Sequence, residues 1–173
     1  DFDNIVVMEA SGDYAALDAN GDANLLPRQD VSREFFSHHG DEYDFLVVFS
    51  DFDFPMPAPT VKAFFNPTKN DVDGIGLEIY DSTNLYSADG MFLNHLEGLI
   101  DRGNMNRHVL EPSDPAFEKT LQTLTHEMMH RWGAYLSFSD DLLESDALLG
   151  LGDAHWSFLL DSQGSSLYGN HWQ

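Results

Sequence analysis

Residues 126–130 read His126-Glu127-Met128-Met129-His130. On an α-helix, two histidines four positions apart project from the same side one turn apart, so both imidazoles can grip one Zn²⁺. The carboxylate between them projects close enough to take a proton from a metal-bound water. The pattern therefore predicts His126 and His130 as zinc ligands and Glu127 as a general base.

That chemistry needs a helix, and the flanking residues supply its signals. Asp114 is a good N-cap, Pro115 suits the first helical position, and Gly133 sits where a left-handed C-terminal cap would fall. No Pro or Gly interrupts the stretch between them. At about 100° per residue, with Phe117 at zero, Leu121, Leu124, Met128 and Trp132 fall within about −20° to 60°. His126 and His130 fall at about 180° and 220°. The helix is thus expected over 114–132, with one face on the core and the other presenting two imidazoles.

With these residues the chain resembles the zincin metallopeptidases, over about twenty residues around 114–133. The resemblance implies that His126 and His130 bind zinc, that Glu127 activates water, and that a third ligand follows downstream. Gly133 matches the glycine of the metzincin pattern HExxHxxGxxH, but the third His of that pattern falls at Leu136, which cannot bind metal. The gluzincin pattern has a downstream Glu with a Ser-Asp pair three residues on. Here Ser145-Asp146 follows Glu144 immediately, so the subgroup stays open.

The third ligand is argued from chemistry. Asp140, Asp141, Glu144, Asp146, Asp153, His155 and His171 all follow the helix. His155 is preferred. It lies in Asp153-Ala154-His155-Trp156-Ser157-Phe158, a polar position in an apolar stretch, where a buried imidazole needs a partner that zinc would supply. Asp153 or Ser157 would support it from behind, and Glu144 and Asp153 are the next choices. Three protein ligands leave a fourth position for water. Some zincins place a Tyr or His after the third ligand to steady the oxyanion. Tyr168 is the choice here, ahead of His171 and Tyr135.

A second metal is suggested by Asp18-Ala19-Asn20-Gly21-Asp22-Ala23-Asn24, which puts oxygen side chains at loop positions 1, 3, 5 and 7. Asp18, Asn20, Asp22 and Asn24 are candidate calcium ligands. The rival reading is an Asx-rich turn, because Ala23 and Gln29 stand where an EF-hand has Gly and Glu. His38 and His39 read as partners of a helix C-terminus, and His95 and His108 as structural. There is no GxSxG elbow and no phosphate-binding glycine loop.

The 173 residues suit one domain over 1–173. Eight Lys and Arg against 30 Asp and Glu give a net charge of −22, so nucleic acids and anionic membrane surfaces are excluded as expected partners. As far as net charge goes, a body so anionic favours neutral or basic substrates. No apolar run is long enough for a spanning helix. Cysteine is absent, which removes thiolate chemistry and disulfides. The chain opens on Asp1-Phe2-Asp3 and stops at Trp172-Gln173, which reads as a processed product or a fragment of a longer protein. Acidity and the possible calcium loop point to a secreted, extracellular setting; oligomeric state has no signal.

For the rest of the fold, strands are expected at Ile5–Met8, Tyr43–Ser50, Val61–Phe65 and Ile75–Tyr80, the last two separated by a turn at 70–74. A helix capped by Asp30 and ended by Gly40 is expected, and a short helix near 91–101 from the spacing of Phe92, Leu93, Leu96, Leu99 and Ile100. The residues after Gly133 read as irregular. The expectation is an α+β, zincin-like fold, with a mixed sheet in the N-terminal part packed on the active-site helix. The expected function is a zinc-dependent hydrolase, a metallopeptidase acting on peptide or protein substrates. The rivals are a non-catalytic metal-binding module of a larger surface protein and a zinc hydrolase of non-peptide amides.

Overall fold

A computed structural model describes residues 5–9, 13–140 and 143–171 and shows a mixed α+β fold. In chain order the elements are α1 (Leu26–His38), β1 (Phe45–Ser50), β2 (Phe64–Pro67), β3 (Lys69–Asn70), β4 (Tyr80–Asp81), β5 (Gly98–Asn104), α2 (Phe117–Met129), β6 (Phe138–Asp140), β7 (Leu143–Ser145), β8 (Trp156–Asp161) and β9 (Tyr168–Asn170). Among the described residues, no helix is long and apolar enough to cross a membrane.

The main sheet has the order β1-β5-β2. β1 runs parallel to β5, with Phe45 opposite Gly98 and Val47 opposite Ile100. β2 is antiparallel to β5, with Phe64 opposite Asp101 and Phe65 opposite Ile100, and forms one edge. Every residue of β5 is buried, as befits a central strand covered on both faces.

Side-chain alternation along these strands separates two layers. On one face, Leu46 and Leu99 join Phe36 of α1, Tyr86, Leu93 and Leu96 in the hydrophobic core. Asp101 also points this way and pairs with Arg28 of α1 at 2.9 Å, both side chains fully buried. On the other face, Phe45 meets Trp132 just beyond α2, their ring centroids 6.1 Å apart. Arg102 reaches α2 by donating to the Thr120 carbonyl at 3.1 Å. Gly98 is required on that face: a Cβ there would lie 2.2 Å from the Phe65 ring.

Several expectations change. The segment expected as a helix near 91–101 is loop followed by the buried strand β5. Its leucines are inward in either conformation, so their spacing could not separate a helix from a buried strand. α1 begins at Leu26 rather than after Asp30, because Pro27 occupies its first turn. Residues 6–9 form no strand, and Val7 is 89% exposed. Of 75–80 only Tyr80 is in a strand, and the Val61–Phe65 strand starts at Phe64.

α2 starts at Phe117. Asp114 caps the preceding turn by accepting from the Ala116 N–H at 2.8 Å. Gly133 does not adopt the left-handed conformation. The expected apolar stripe is also displaced: Leu121 and Trp132 are 46% and 43% exposed, while Glu127 is the buried residue of the helix. The helix rolls so that Glu127 faces the sheet, where Arg102 offers it a charge partner. The C-terminal part is more ordered than expected, with β6 pairing antiparallel with β7 and β8 parallel with β9.

Candidate metal centre

His126 lies in the last turn of α2, and His130 follows as its C-cap with helical φ −59° and ψ −14°. The i, i+4 geometry therefore persists past the end of the helix, with the ring centroids 4.9 Å apart. The third imidazole, His155, comes from the link between a 3₁₀ turn at Leu151–Asp153 and β8. The Gly150 N–H donates to the His155 carbonyl at 2.7 Å, and the Trp156 N–H to the Leu167 carbonyl at 2.9 Å. Gly150 allows this close crossing, since a Cβ there would meet the Trp156 carbonyl oxygen at 2.8 Å.

Ligating atoms of His126, His130 and His155 all lie within 4.8 Å of one another. His126 Nδ1 faces the Ser166 carbonyl at 2.6 Å, and His155 Nδ1 faces the Leu151 carbonyl at 2.6 Å. Each of these nitrogens donates its proton to a carbonyl, which fixes the tautomer. The two Nε2 atoms then turn lone pairs toward each other across 3.2 Å. Two acceptors at that distance have nothing to share unless a proton or a cation stands between them. A tetrahedral zinc with Zn–N bonds of about 2.0–2.1 Å would space its nitrogens by about 3.3 Å. The donor set and its orientation fit a divalent ion that favours imidazole.

Burial holds the site in the state such an ion needs. It pushes the His130 pKa down to about 4, with the neighbouring His126 and His155 adding to the effect, and it lowers His126 as well. Neutral rings keep their lone pairs. Glu127 moves the other way: burial raises it to about 7 against the opposing Arg102 charge and the Phe65 N–H. A carboxyl near 7 can both accept and release a proton at neutral pH.

Tyr168, at the start of β9, lies flat on His155, with ring centroids 4.6 Å apart and planes at 19°. It is also 4.9 Å from His126 and remains 54% exposed. Tyr135 has committed its hydroxyl to the His130 carbonyl. Among the described residues, the other third-ligand candidates stay out of the cluster. Glu144 lies on β7 opposite Ser139, and His171 is 4.0 Å from Asp161. Asp141 and the side chain of Asp140 lie outside the described residues.

The Asp18–Asn24 loop is closed by its own hydrogen bonds. Asp18 Oδ1 accepts from the N–H groups of Asn20 and Asp22 at 2.8 and 3.0 Å. The Asn24 amide donates to the carbonyls of Asp13 and Ala15. This is the Asx-turn arrangement. His38 approaches Glu34 at 3.4 Å, and His39 stacks on Phe35.

Sequence reasoning missed Arg102. It is fully buried, contacts His108 Nδ1 at 3.0 Å and supplies the positive charge facing Glu127. Nothing in the order of residues signals this, because it depends on β5 passing beneath α2. Also missed was the groove of ≈ 1140 Å³ in which the cluster sits, bounded by 60–65 and Pro67 on one side and α2 on the other. Comparison with models of known families, with curated proteins and with solved structures finds no match.

Proposed function

We propose that this protein is a zinc-dependent metallopeptidase of zincin type, with His126, His130 and His155 as ligands and Glu127 as general base. The observation that carries this reading is the convergence of three imidazoles beside a buried carboxyl that burial pushes up to about 7. Three ligands leave room for water, as catalytic zinc sites do and closed structural sites do not. When bound, zinc would supply Lewis acidity and lower the pKa of its water to about 7.

The chain's own groups account for the proton traffic. A Glu127 carboxylate oxygen takes one proton from the attacking water while the water oxygen bonds to the peptide carbonyl carbon. As the C–N bond breaks, the same oxygen returns that proton to the leaving amine. Arg102 behind it limits the rise in pKa that burial alone would cause. The Tyr168 hydroxyl, carried on a half-exposed ring packed against His155, would donate to the developing oxyanion. A peptide substrate is favoured because β2 is an edge strand bordering the groove, and an edge strand can pair with an extended backbone.

The test is Glu127→Gln. The variant should keep its metal and lose at least about 10³-fold in peptide hydrolysis. Turnover at the wild-type rate would remove Glu127 from the mechanism.

A further inference from the structure

The chain's few cations are unevenly employed. Arg28 pairs with Asp101, Arg33 with Asp30, Lys69 with Glu97, and Arg131 with Asp71 and Glu97. Arg102 is buried behind Glu127. Among the described residues, Lys62, Arg107 and Lys119 form no ion pair with any carboxylate, in a chain of 30 Asp and Glu.

Two of these line one groove, and the third is bonded to the backbone next to it. Lys62, on the lead-in to β2, and Lys119, on α2, both line the groove that holds the histidine cluster. Arg107 donates to the carbonyls of Val61 and Pro59 at 3.1 and 3.3 Å, on the segment that leads into Lys62. Lys62 and Arg107 both act on the His108 imidazole, which burial and these charges push down. Among the described residues, the carboxylates lining the same groove are Glu118 and Glu127, and Glu127 faces Arg102.

Spacing relates the lysines to the reaction centre. Lys119 is two turns before His126 on the same helical face, about 10 Å along the axis. Lys62 is three residues before Phe65, whose N–H meets Glu127, again about 10 Å along an extended chain. An extended substrate covers that distance in about three residues.

We propose that the groove selects peptides carrying acidic side chains within about three residues of the scissile bond, with Lys62 and Lys119 as the specificity-determining residues. This rests on the metallopeptidase reading and deepens it. Surface carboxylates elsewhere repel such a substrate, so the groove mouth is where an anionic segment can dock, and the local charge overrides the preference that net charge suggested.

The test compares quenched fluorescent octapeptides that differ only in Asp or Asn at the positions flanking the cleaved bond, with zinc-loaded protein. The Asp peptide should show about tenfold higher kcat/KM at low salt, shrinking toward parity at 0.5 M NaCl. K62Q/K119Q should abolish the preference and K62E/K119E should reverse it. Binding of the same uncleaved peptides to the zinc-loaded Glu127→Ala protein, read by fluorescence anisotropy, should follow the same order. Cleavage of both peptides at equal rates, or a preference untouched by the lysine changes, overturns the proposal. If neither peptide is cleaved but the Asp peptide still binds in a lysine-dependent way, the peptidase reading fails while charge selection by the groove stands. Equal binding overturns charge selection as well.

Discussion

His155 Nε2 lies 3.2 Å from His126 Nε2, while each ring holds a backbone carbonyl with its other nitrogen. Those carbonyls, of Leu151 and Ser166, belong to segments folded around β8 and β9. The C-terminal part therefore does more than supply a third imidazole, because it also sets the tautomer of one presented by α2. A site assembled in this way depends on both halves of the chain.

His155→Ala should lower zinc retained after gel filtration to well below half the wild-type content, because two imidazoles do not complete a tetrahedral site. Glu144→Ala and Asp153→Ala should leave it unchanged. Metal analysis of the three variants checks this. Loss of zinc in Glu144→Ala with retention in His155→Ala would reassign the ligand.

Tyr168→Phe keeps the ring on His155 and removes only the hydroxyl. It should reduce kcat by about 10–100-fold with little change in KM, the signature of a donor used in the transition state. An unchanged kcat would reduce Tyr168 to a packing partner of His155.

In the metal-free protein, the His130 contribution to stability should fall with acid between about pH 6.5 and pH 4, while Glu127, raised to about 7, acts in the opposite direction as pH drops. His130 has an ordinary value of 6.5 and a folded value of about 4, so in that window the unfolded chain binds more protons than the folded one. His130 taken alone therefore weakens the folded state as pH drops toward 4. The His130 share is on the order of 1 kcal/mol once solvent screening is allowed for. Urea midpoints of EDTA-treated wild type and His130→Gln at pH 7.5 and 4.5 isolate it: the variant should show the smaller loss. Identical losses would contradict the burial argument.

Asp101→Asn should destabilise the fold by about 3–5 kcal/mol, because it leaves Arg28 charged and buried without its carboxylate. Replacing both partners with apolar residues of similar size should recover most of that loss. Urea denaturation of the single and double variants measures both.

What the sequence disclosed follows from how local each signal is. The HExxH pair needs only one helix, and one helix is written in about twenty consecutive residues, so His126, Glu127 and His130 could be placed together. His155 stands out as a polar residue in the stretch 153–158, but the burial assumed for it is only partial: Phe158 is 68% exposed, and the cluster forms because His155 comes to lie against α2. β5 was illegible as a strand because Leu93, Leu96, Leu99 and Ile100 are inward in either conformation, and only the partners β1 and β2 decide. The α2 stripe misled for a related reason: Arg102 comes from a distant strand, and it draws Glu127 inward while Leu121 and Trp132 stay half exposed. α1 begins ahead of Asp30 because Pro27 suits a first helical turn. Its inward face, Arg28, Ser32 and Phe36, is mostly polar and gives weak periodicity.

The central claim is one divalent ion held by three imidazoles with a position open to water. X-ray absorption on the zinc-loaded protein, with the metal content of the same sample, tests it most directly. The expected result is one zinc per chain with three nitrogen ligands and one oxygen ligand at about 2.0–2.1 Å. A protein that retains no zinc, or a zinc closed by four protein ligands, would contradict it.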